Sequence, residues 1–365
     1  MTSENSYRNI HTDFVSNQNG SNPYDVVFAS LPTSFLIPLS SLILPFLYPL
    51  RYAAMKYSSQ VAFHITVEII TIAIPVLLSI TVLADNPFIN CMCILAVTMT
   101  LCISTPSFWK SGTRAVRWSE LFHYPLAEKR PHFLTNCRSA MLFITALAIL
   151  AVDFQVFPRR FIKTETFGYS LMDVGVGTFL CAQGAGSRIR QSREQWSKIY
   201  PIFILAFLRL FAVKMCGYHE HFSEYGVHWN FFFTLGSIKA FSAIFKIQTR
   251  PGIIAISVLA IYEISLKLGL QDWILSDHPR EGLLYSNREG IFSMFGYIAL
   301  YYTAMELGDC LKKPRTLFKD WFWFLIGLCT LTTVGWMAIP AVEALFGEPS
   351  RRLVNTTYCI WMVRN

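Results

Sequence analysis

Long apolar stretches separated by short polar segments recur along nearly the whole of this 365-residue chain. Most have the roughly 17–25 residues with which an α-helix crosses about 30 Å of hydrocarbon. Because a backbone in lipid must satisfy its own hydrogen bonds, such stretches predict membrane-spanning helices. We predict ten spans: Phe28–Leu50, Val61–Ala84, Phe88–Thr105, Leu134–Val156, Ser170–Ser187, Ile199–Gly217, Trp229–Ile247, Gly252–Leu270, Gly290–Leu307 and Trp321–Phe346.

The two ends of the chain differ from this pattern. Residues 1–27 are polar and rich in Asn and Ser, which predicts a disordered tail without a cleaved signal peptide. The apolar stretch Leu353–Val363 is too short to cross a membrane as a helix, so it either lies in the interface or belongs to a longer architecture. The predicted fold is an all-α polytopic transmembrane helical bundle of ten to eleven spans, forming one membrane domain over residues 28–365.

Composition and charge placement orient this bundle. Hydrophobic residues make up 53% of the chain and charged residues only 15%, whereas a soluble domain is about 25% charged. The odd-numbered connections between spans carry more than twice as many Lys and Arg as the even-numbered ones. The positive-inside rule therefore places the odd connections in the cytoplasm and the N-terminal tail in the lumen. This bias explains the net charge of +8, and no motif indicates nucleic-acid binding.

The fourth connection contradicts the charge bias. It is predicted to be lumenal, yet it contains Arg159, Arg160 and Lys163. Asp153 follows an apolar run near the lumenal end of its span, and an ionisable group at such a depth is a candidate functional residue. The alternative is a helix-end carboxylate that pairs with Arg159 or Lys163. Asp173, at the start of the next span, is equally explained by a favourable interaction with the helix dipole.

Other polar residues give weaker signals. The nine cysteines are scattered without a CxxC motif, which favours packing residues over disulfides or metal ligands. The sixth connection contains three His and two Glu, a weak zinc signal for which substrate contact or a structural cap is the better interpretation. Charged residues within spans, such as Glu263 and Lys267, either line a polar cavity or pair between helices. We therefore expect no metal site.

Two segments are more specific than this general pattern. The sequence VDFQVFPRRFIKTETFGYSLMDVGVG over residues 152–177 and the sequence EYGVHWNFFFTL over residues 224–235 resemble the two hallmark stretches of the PIG-W family, also called GPI-anchored wall transfer proteins. The resemblance extends from the first span to the end of the chain. Family members have more spans than this chain, so the resemblance implies that the last spans of the family are not included here.

The resemblance implies an activity and a location. Family members transfer a long-chain acyl group, usually palmitoyl, from acyl-CoA to the inositol ring of glucosaminyl-phosphatidylinositol. This reaction belongs to GPI-anchor synthesis and takes place in the membrane of the endoplasmic reticulum, on the lumenal side. Acyl-CoA is then a co-substrate, and we expect no bound cofactor and no obligate protein partner beyond the lipid bilayer.

The same resemblance indicates which residues form the site. It implies that Asp153 and Lys163 are the catalytic pair, and chemistry suggests Asp153 as the base and Lys163 as the cation that stabilises the oxyanion. Guanidinium groups bind phosphate bidentately, which favours phosphate contacts for Arg159 and Arg160. Further substrate contacts are expected from Thr164, Glu165, Asp173, His228 and Asn230.

Two other classes of function remain open. A lipid transporter or flippase would also have charged spans, although it should show broken helices in two related halves, and we find no such symmetry. A non-catalytic scaffold is the second alternative, because the chain is short relative to the family that it resembles.

Overall fold

The structure is a computed structural model that describes residues 19–47, 55–104, 110–111, 114–115, 120, 122–125, 132–187, 192–216, 222–245, 250–276 and 278–364. Within these ranges nearly all regular structure is helical. The helices are α1 (Pro23–Ser30), α2 (Pro32–Leu47), α3 (Tyr57–Ile80), α4 (Pro87–Ser104), α5 (His132–Ala151), α6 (Leu171–Gly186), α7 (Ser192–Cys216), α8 (Phe222–Tyr225), α9 (Phe231–Phe245), α10 (Pro251–Leu275), α11 (Gly282–Ser286), α12 (Arg288–Leu311), α13 (Phe318–Phe346) and α14 (Thr356–Arg364). A two-residue antiparallel pair joins Lys110–Ser111 to Arg114–Ala115.

Each of the ten predicted spans overlaps a helical segment. Seven segments are long and apolar enough to cross a membrane, and their apolar windows are mostly not buried inside the protein. This is the arrangement expected of helices that face lipid. Of the other three, α6 and α9 have 16 and 15 residues, and α12 contains several charged residues. The prediction of an all-α, multi-span helical bundle is confirmed.

The chain ends refine the sequence interpretation. Residues 1–18 of the predicted tail lie outside the described residues, and α1 already begins at Pro23, where the side chain of Asn22 accepts a hydrogen bond from the Tyr24 amide. The short C-terminal stretch forms α14. Most of its side chains are buried, with Tyr358 and Trp361 fully inaccessible, so this helix is a packed part of the protein.

The described residues form two compact units, where the sequence alone suggested one domain. Unit 1 comprises the described residues within 1–163, 169–175 and 314–327, and unit 2 comprises those within 164–168, 176–313 and 328–365. In unit 1, Leu36, Leu39 and Val76 form an apolar cluster between α2 and α3. In unit 2, α12 packs against α9, α10 and α14, and its residues 297–302 are buried.

The C-terminal segment of unit 2 is fixed by hydrogen bonds to α10. The Tyr262 hydroxyl donates to the Leu353 carbonyl at 2.6 Å. The Glu263 carboxylate accepts from both the amide and the hydroxyl of Thr356, at 2.9 and 2.8 Å. Glu263 therefore caps the first turn of α14. This contact corresponds to the second alternative given in the sequence analysis, in which a charged residue of a span pairs with another helix.

Candidate active site

Asp153 lies in a turn rather than inside a span. Helix α5 ends at Ala151, so the predicted end of this span at Val156 is wrong by five residues. Turn hydrogen bonds from Phe154 to Ala151 and from Phe157 to Phe154 replace the helical pattern, and the Asp153 side chain is exposed. A carboxylate in this position is accessible to a substrate that approaches the end of the helix.

Arg159 fixes the conformation of this turn. Its Nη1 donates to the Val152 carbonyl at 3.1 Å and its Nη2 to the Phe154 carbonyl at 2.6 Å, so one guanidinium bonds the backbone on both sides of Asp153. Burial lowers the pKa of Arg159, and the nearby Asp153 charge opposes that shift. The Asp153 charge thus acts on Arg159, one of the two partners that the sequence analysis proposed for it.

Arg160 connects the same loop to the connection between α3 and α4. Its guanidinium donates to the Ala84 carbonyl at 2.5 Å, lies 3.7 Å from the Asp85 carboxylate, and sits over the Phe161 ring. Like Arg159, it directs donors at oxygen atoms of the protein itself. The phosphate contacts expected for these two arginines stay a prediction.

The remainder of the loop leads into α6 through a helix cap. The amide of Met172 donates to the Ser170 hydroxyl at 3.2 Å, and that hydroxyl donates to the Phe161 carbonyl at 2.7 Å. Asp173 follows in the first turn of the helix and is only 1% exposed. This is the helix N-terminal environment that stabilises a carboxylate, so the structural interpretation accounts for its position. Lys163 is half-buried.

The remaining predicted contacts belong to unit 2. Thr164 is buried, and the Glu165 carboxylate acts electrostatically on Arg352. The His228 amide donates to the Asn287 side chain at 2.8 Å. Asn230 is buried and caps α9: its Oδ1 accepts from two amides of the first turn, and its Nδ2 donates to the carbonyl of Ala206. The structure thus gives Asn230 a capping role, because its side chain is committed to the backbone.

A charge cluster that the sequence interpretation missed lies in unit 2. The carboxylate of Glu289, which is fully buried, accepts two hydrogen bonds from Arg280, at 2.6 and 3.1 Å. Arg352 lies 3.4 Å from the same carboxylate, and Arg288 lies 3.9 Å from it. Three guanidinium groups therefore surround one acid.

Comparison with known proteins identifies the family. The GWT1 family model matches residues 7–365, which is nearly the whole chain. This chain belongs to the GWT1 family. It is 30% identical to a Dictyostelium discoideum protein named "Phosphatidylinositol-glycan biosynthesis class W protein", over 97% of this chain and 80% of that protein. It is also 32% identical to "GPI-anchored wall transfer protein 1" of Aspergillus oryzae, over 98% of this chain and 79% of that protein.

A mammalian relative of this GWT1-family chain has a more specific name. The Bos taurus protein is called "Glucosaminyl-phosphatidylinositol-acyltransferase PIGW" and is 38% identical over 60% of this chain and 47% of its own length. The family named in the sequence analysis is thereby confirmed.

Unit 1 of this GWT1-family protein also contains an apolar cavity of about 300 Å³. Pockets for small molecules in proteins begin at about this size and are mostly apolar. A π-helical turn, Ile69–Ala73, forms part of the wall, and such turns often occur at functional sites. The lining residues are Thr33, Ile37, Ile65, Glu68, Ile69, Ile72, Ala73, Ser139, Ala140 and Phe143.

The signal that could have located the charge cluster was present in the loop charges. Arg280 and Arg288 lie in the eighth connection and Arg352 in the tenth, both of which are predicted to be lumenal and therefore poor in basic residues. As in the fourth connection, basic residues on this side indicate a local requirement for them.

His219 and His221 of the weak zinc motif lie outside the described residues. Among the ranges that the structure describes, no three potential ligands meet to hold a metal ion.

Proposed function

We propose that this protein is an acyltransferase that moves a long-chain acyl group, palmitoyl in the simplest case, from acyl-CoA to the inositol hydroxyl of glucosaminyl-phosphatidylinositol. The observation that carries the proposal is the family match over residues 7–365, together with the name of the bovine relative. The proposed site is the turn that contains Asp153, in the endoplasmic reticulum membrane and on its lumenal face.

The reaction would proceed by direct attack on the thioester. The inositol hydroxyl oxygen forms a bond to the carbonyl carbon while Asp153 accepts the hydroxyl proton. The developing oxyanion is stabilised by the Lys163 ammonium group. When the tetrahedral intermediate collapses, the carbon–sulfur bond breaks and CoA leaves as the thiolate, which takes up the proton that Asp153 accepted. This chemistry needs no resident cofactor, because acyl-CoA supplies the activated acyl group.

Two features of unit 1 support this proposal. Asp153 is exposed and held by Arg159, so its carboxylate is accessible and its backbone is fixed before a substrate arrives. The apolar cavity of unit 1 offers an environment suited to part of an acyl chain. Contacts of Glu165 and His228 with the lipid headgroup stay a prediction.

The test is complementation of cells that lack inositol acylation, followed by analysis of their GPI lipid intermediates. The wild-type chain should restore acylated intermediates. Asp153→Asn should abolish acyl transfer at a normal protein level, and Lys163→Ala should reduce it at least about a hundredfold, the scale of losing an oxyanion partner.

Matched controls separate chemistry from folding. Asp320→Asn and Lys319→Ala change exposed residues of the same types near the start of α13 and should leave acyl transfer unchanged. If the wild-type chain restores no acylated intermediate, the enzymatic proposal fails in favour of a scaffold. Near-normal turnover of Asp153→Asn would remove its role as base.

A further inference from the structure

We propose that Arg280, Arg288 and Arg352, gathered around Glu289, form a binding site for a phosphate group. This inference rests on the function proposed above, under which the ligand is the phosphodiester of the phosphoinositide substrate. The phosphate contacts are thereby assigned to unit 2, to residues other than Arg159 and Arg160.

The charge balance of the cluster is the first reason. Glu289 is fully buried and faces three guanidinium groups. The charge of the Glu165 carboxylate also acts on Arg352. Three cations and two acids leave a net positive charge, and a buried charge without a counter-ion is costly. An anion that enters the cluster would supply the balance.

The second reason is the set of hydrogen-bond donors. Arg288 is 2% exposed, and among the described residues its Nε and Nη1 have no hydrogen-bond partner. Its Nη2 donates to the Ser276 carbonyl, and the guanidinium lies 5.9 Å from the centre of the Trp273 ring, so its position is fixed. The Nε of Arg352 likewise has no partner within the described part of the chain. Preorganised guanidinium donors suit phosphate oxygens in particular.

The third reason is the helix that begins at this point. Helix α12 has 24 residues and starts at Arg288, so the positive end of its dipole adds to the cluster. Asn287 precedes it but makes no side-chain cap, because its Oδ1 accepts the His228 amide instead. The backbone amides in the first turn of α12 are therefore not capped by the Asn287 side chain, and they add to the positive end of the helix dipole.

Access to the cluster is through Arg280. Its side chain is 27% exposed, whereas Arg288 and Glu289 are buried. The neighbouring residues Leu283 and Leu284 are exposed and lie on α11, just before α12. A phosphate would first contact Arg280 and then share with Glu289 the guanidinium groups of Arg288 and Arg352. The fixed pair of Arg280 and Glu289 keeps the donors in place when no ligand is bound.

The decisive measurement is the Michaelis constant for each substrate separately. The full chain is purified into nanodiscs of neutral phosphatidylcholine, and acyl transfer is measured against glucosaminyl-phosphatidylinositol and against acyl-CoA. We expect Arg280→Gln and Arg352→Gln to raise KM for the lipid at least about tenfold, with KM for acyl-CoA unchanged, since hydrogen bonds between charged groups are lost. A rise in KM for acyl-CoA alone would assign the cluster to the phosphates of CoA and overturn the proposal.

A second measurement does not depend on turnover, so it separates this proposal from the proposed function. The melting temperature of the wild-type protein in neutral nanodiscs should rise when phosphatidylinositol is added, but not with diacylglycerol. Arg280→Gln should abolish this shift, whereas Arg250→Gln, at an exposed position before α10, should retain it. An equal shift with inorganic phosphate alone, or no shift with phosphatidylinositol, would overturn the lipid site even if acyl transfer is observed.

Discussion

The guanidinium of Arg159 donates to the carbonyls on both sides of Asp153, those of Val152 and Phe154. A carboxylate that acts as a base must be held within a narrow range of positions relative to the hydroxyl that it deprotonates. Here the backbone of the turn is fixed by one side chain, which also faces the Asp153 charge. Arg159 is therefore a positioning residue for the proposed base.

Replacing Arg159 should reduce the rate constant of acyl transfer without changing substrate binding. We expect Arg159→Ala to lower kcat about a hundredfold, because a small displacement of a catalytic group can have an effect of that size. Arg159→Lys should recover part of the loss, since an ammonium group keeps the charge but lacks the planar fork that reaches both carbonyls. Steady-state kinetics with purified protein in nanodiscs gives kcat and KM for both substrates.

The control for this prediction is Arg138→Ala, which removes an exposed arginine from α5, the helix that ends just before Asp153. It should behave as wild type. If Arg159→Ala changes KM as much as kcat, or if Arg159→Lys is no better than Arg159→Ala, Arg159 does not act by positioning Asp153.

The cap that Glu263 provides to α14 predicts that Glu263 and Thr356 contribute to stability as a coupled pair. The amide and the hydroxyl of Thr356 are buried, and both donate to Oε2 of Glu263. Glu263→Leu leaves these donors buried without their acceptor, which should cost about 1–3 kcal/mol of unfolding free energy. A double-mutant cycle with Thr356→Ala, measured by unfolding in detergent, should show a smaller effect of the second substitution once the first is present. Strictly additive effects would mean that the two residues do not act together.

Such a cap could not be read from the sequence, because Glu263 and Thr356 are 93 positions apart. The spans themselves were predictable, since an apolar run of about 20 residues in lipid has few alternatives to a helix. Their ends were not: hydropathy continues through Val152 and Phe154, but the carbonyls there bond to Arg159 instead of continuing α5.

In the candidate site, too, some features could be predicted from local sequence and others could not. Loop charge and family resemblance identified the segment around Asp153 and Lys163 from local sequence. The Glu289 cluster depends on Arg352, 63 positions away, and only folding brings the two together. The basic residues of the eighth and tenth connections were visible as exceptions to the charge rule, but their shared carboxylate was not.

The close packing of α12 against the segment before α14 predicts that Gly296 cannot carry a side chain. A Cβ atom at this position would overlap the Val354 carbonyl oxygen, and Val354 itself has a positive φ of 54° that restricts how the backbone can move away. Gly296→Ala should therefore destabilise the protein by about 1–3 kcal/mol. Thermal unfolding in detergent, followed by loss of monodisperse protein, measures the effect.

Gly327→Ala is the matched control, because Gly327 is also helical and nothing lies within 4 Å of an added Cβ. Its melting temperature should equal or slightly exceed that of the wild type, since Ala favours helix more than Gly does. A Gly296→Ala protein as stable as the Gly327→Ala protein would show that the contact with Val354 is loose.

The orientation deduced from the loop charges predicts which side of the membrane each connection occupies. Glu281 and Lys313 are both exposed and lie before and after α12, so a spanning α12 places them on opposite sides. In sealed microsomes, a membrane-impermeant thiol reagent should label Lys313→Cys above the level of the parent chain, and Glu281→Cys only after permeabilisation. The opposite pattern would invert the topology. It would also place the Glu289 cluster on the cytosolic side, where the charge rule would account for its arginines without any ligand.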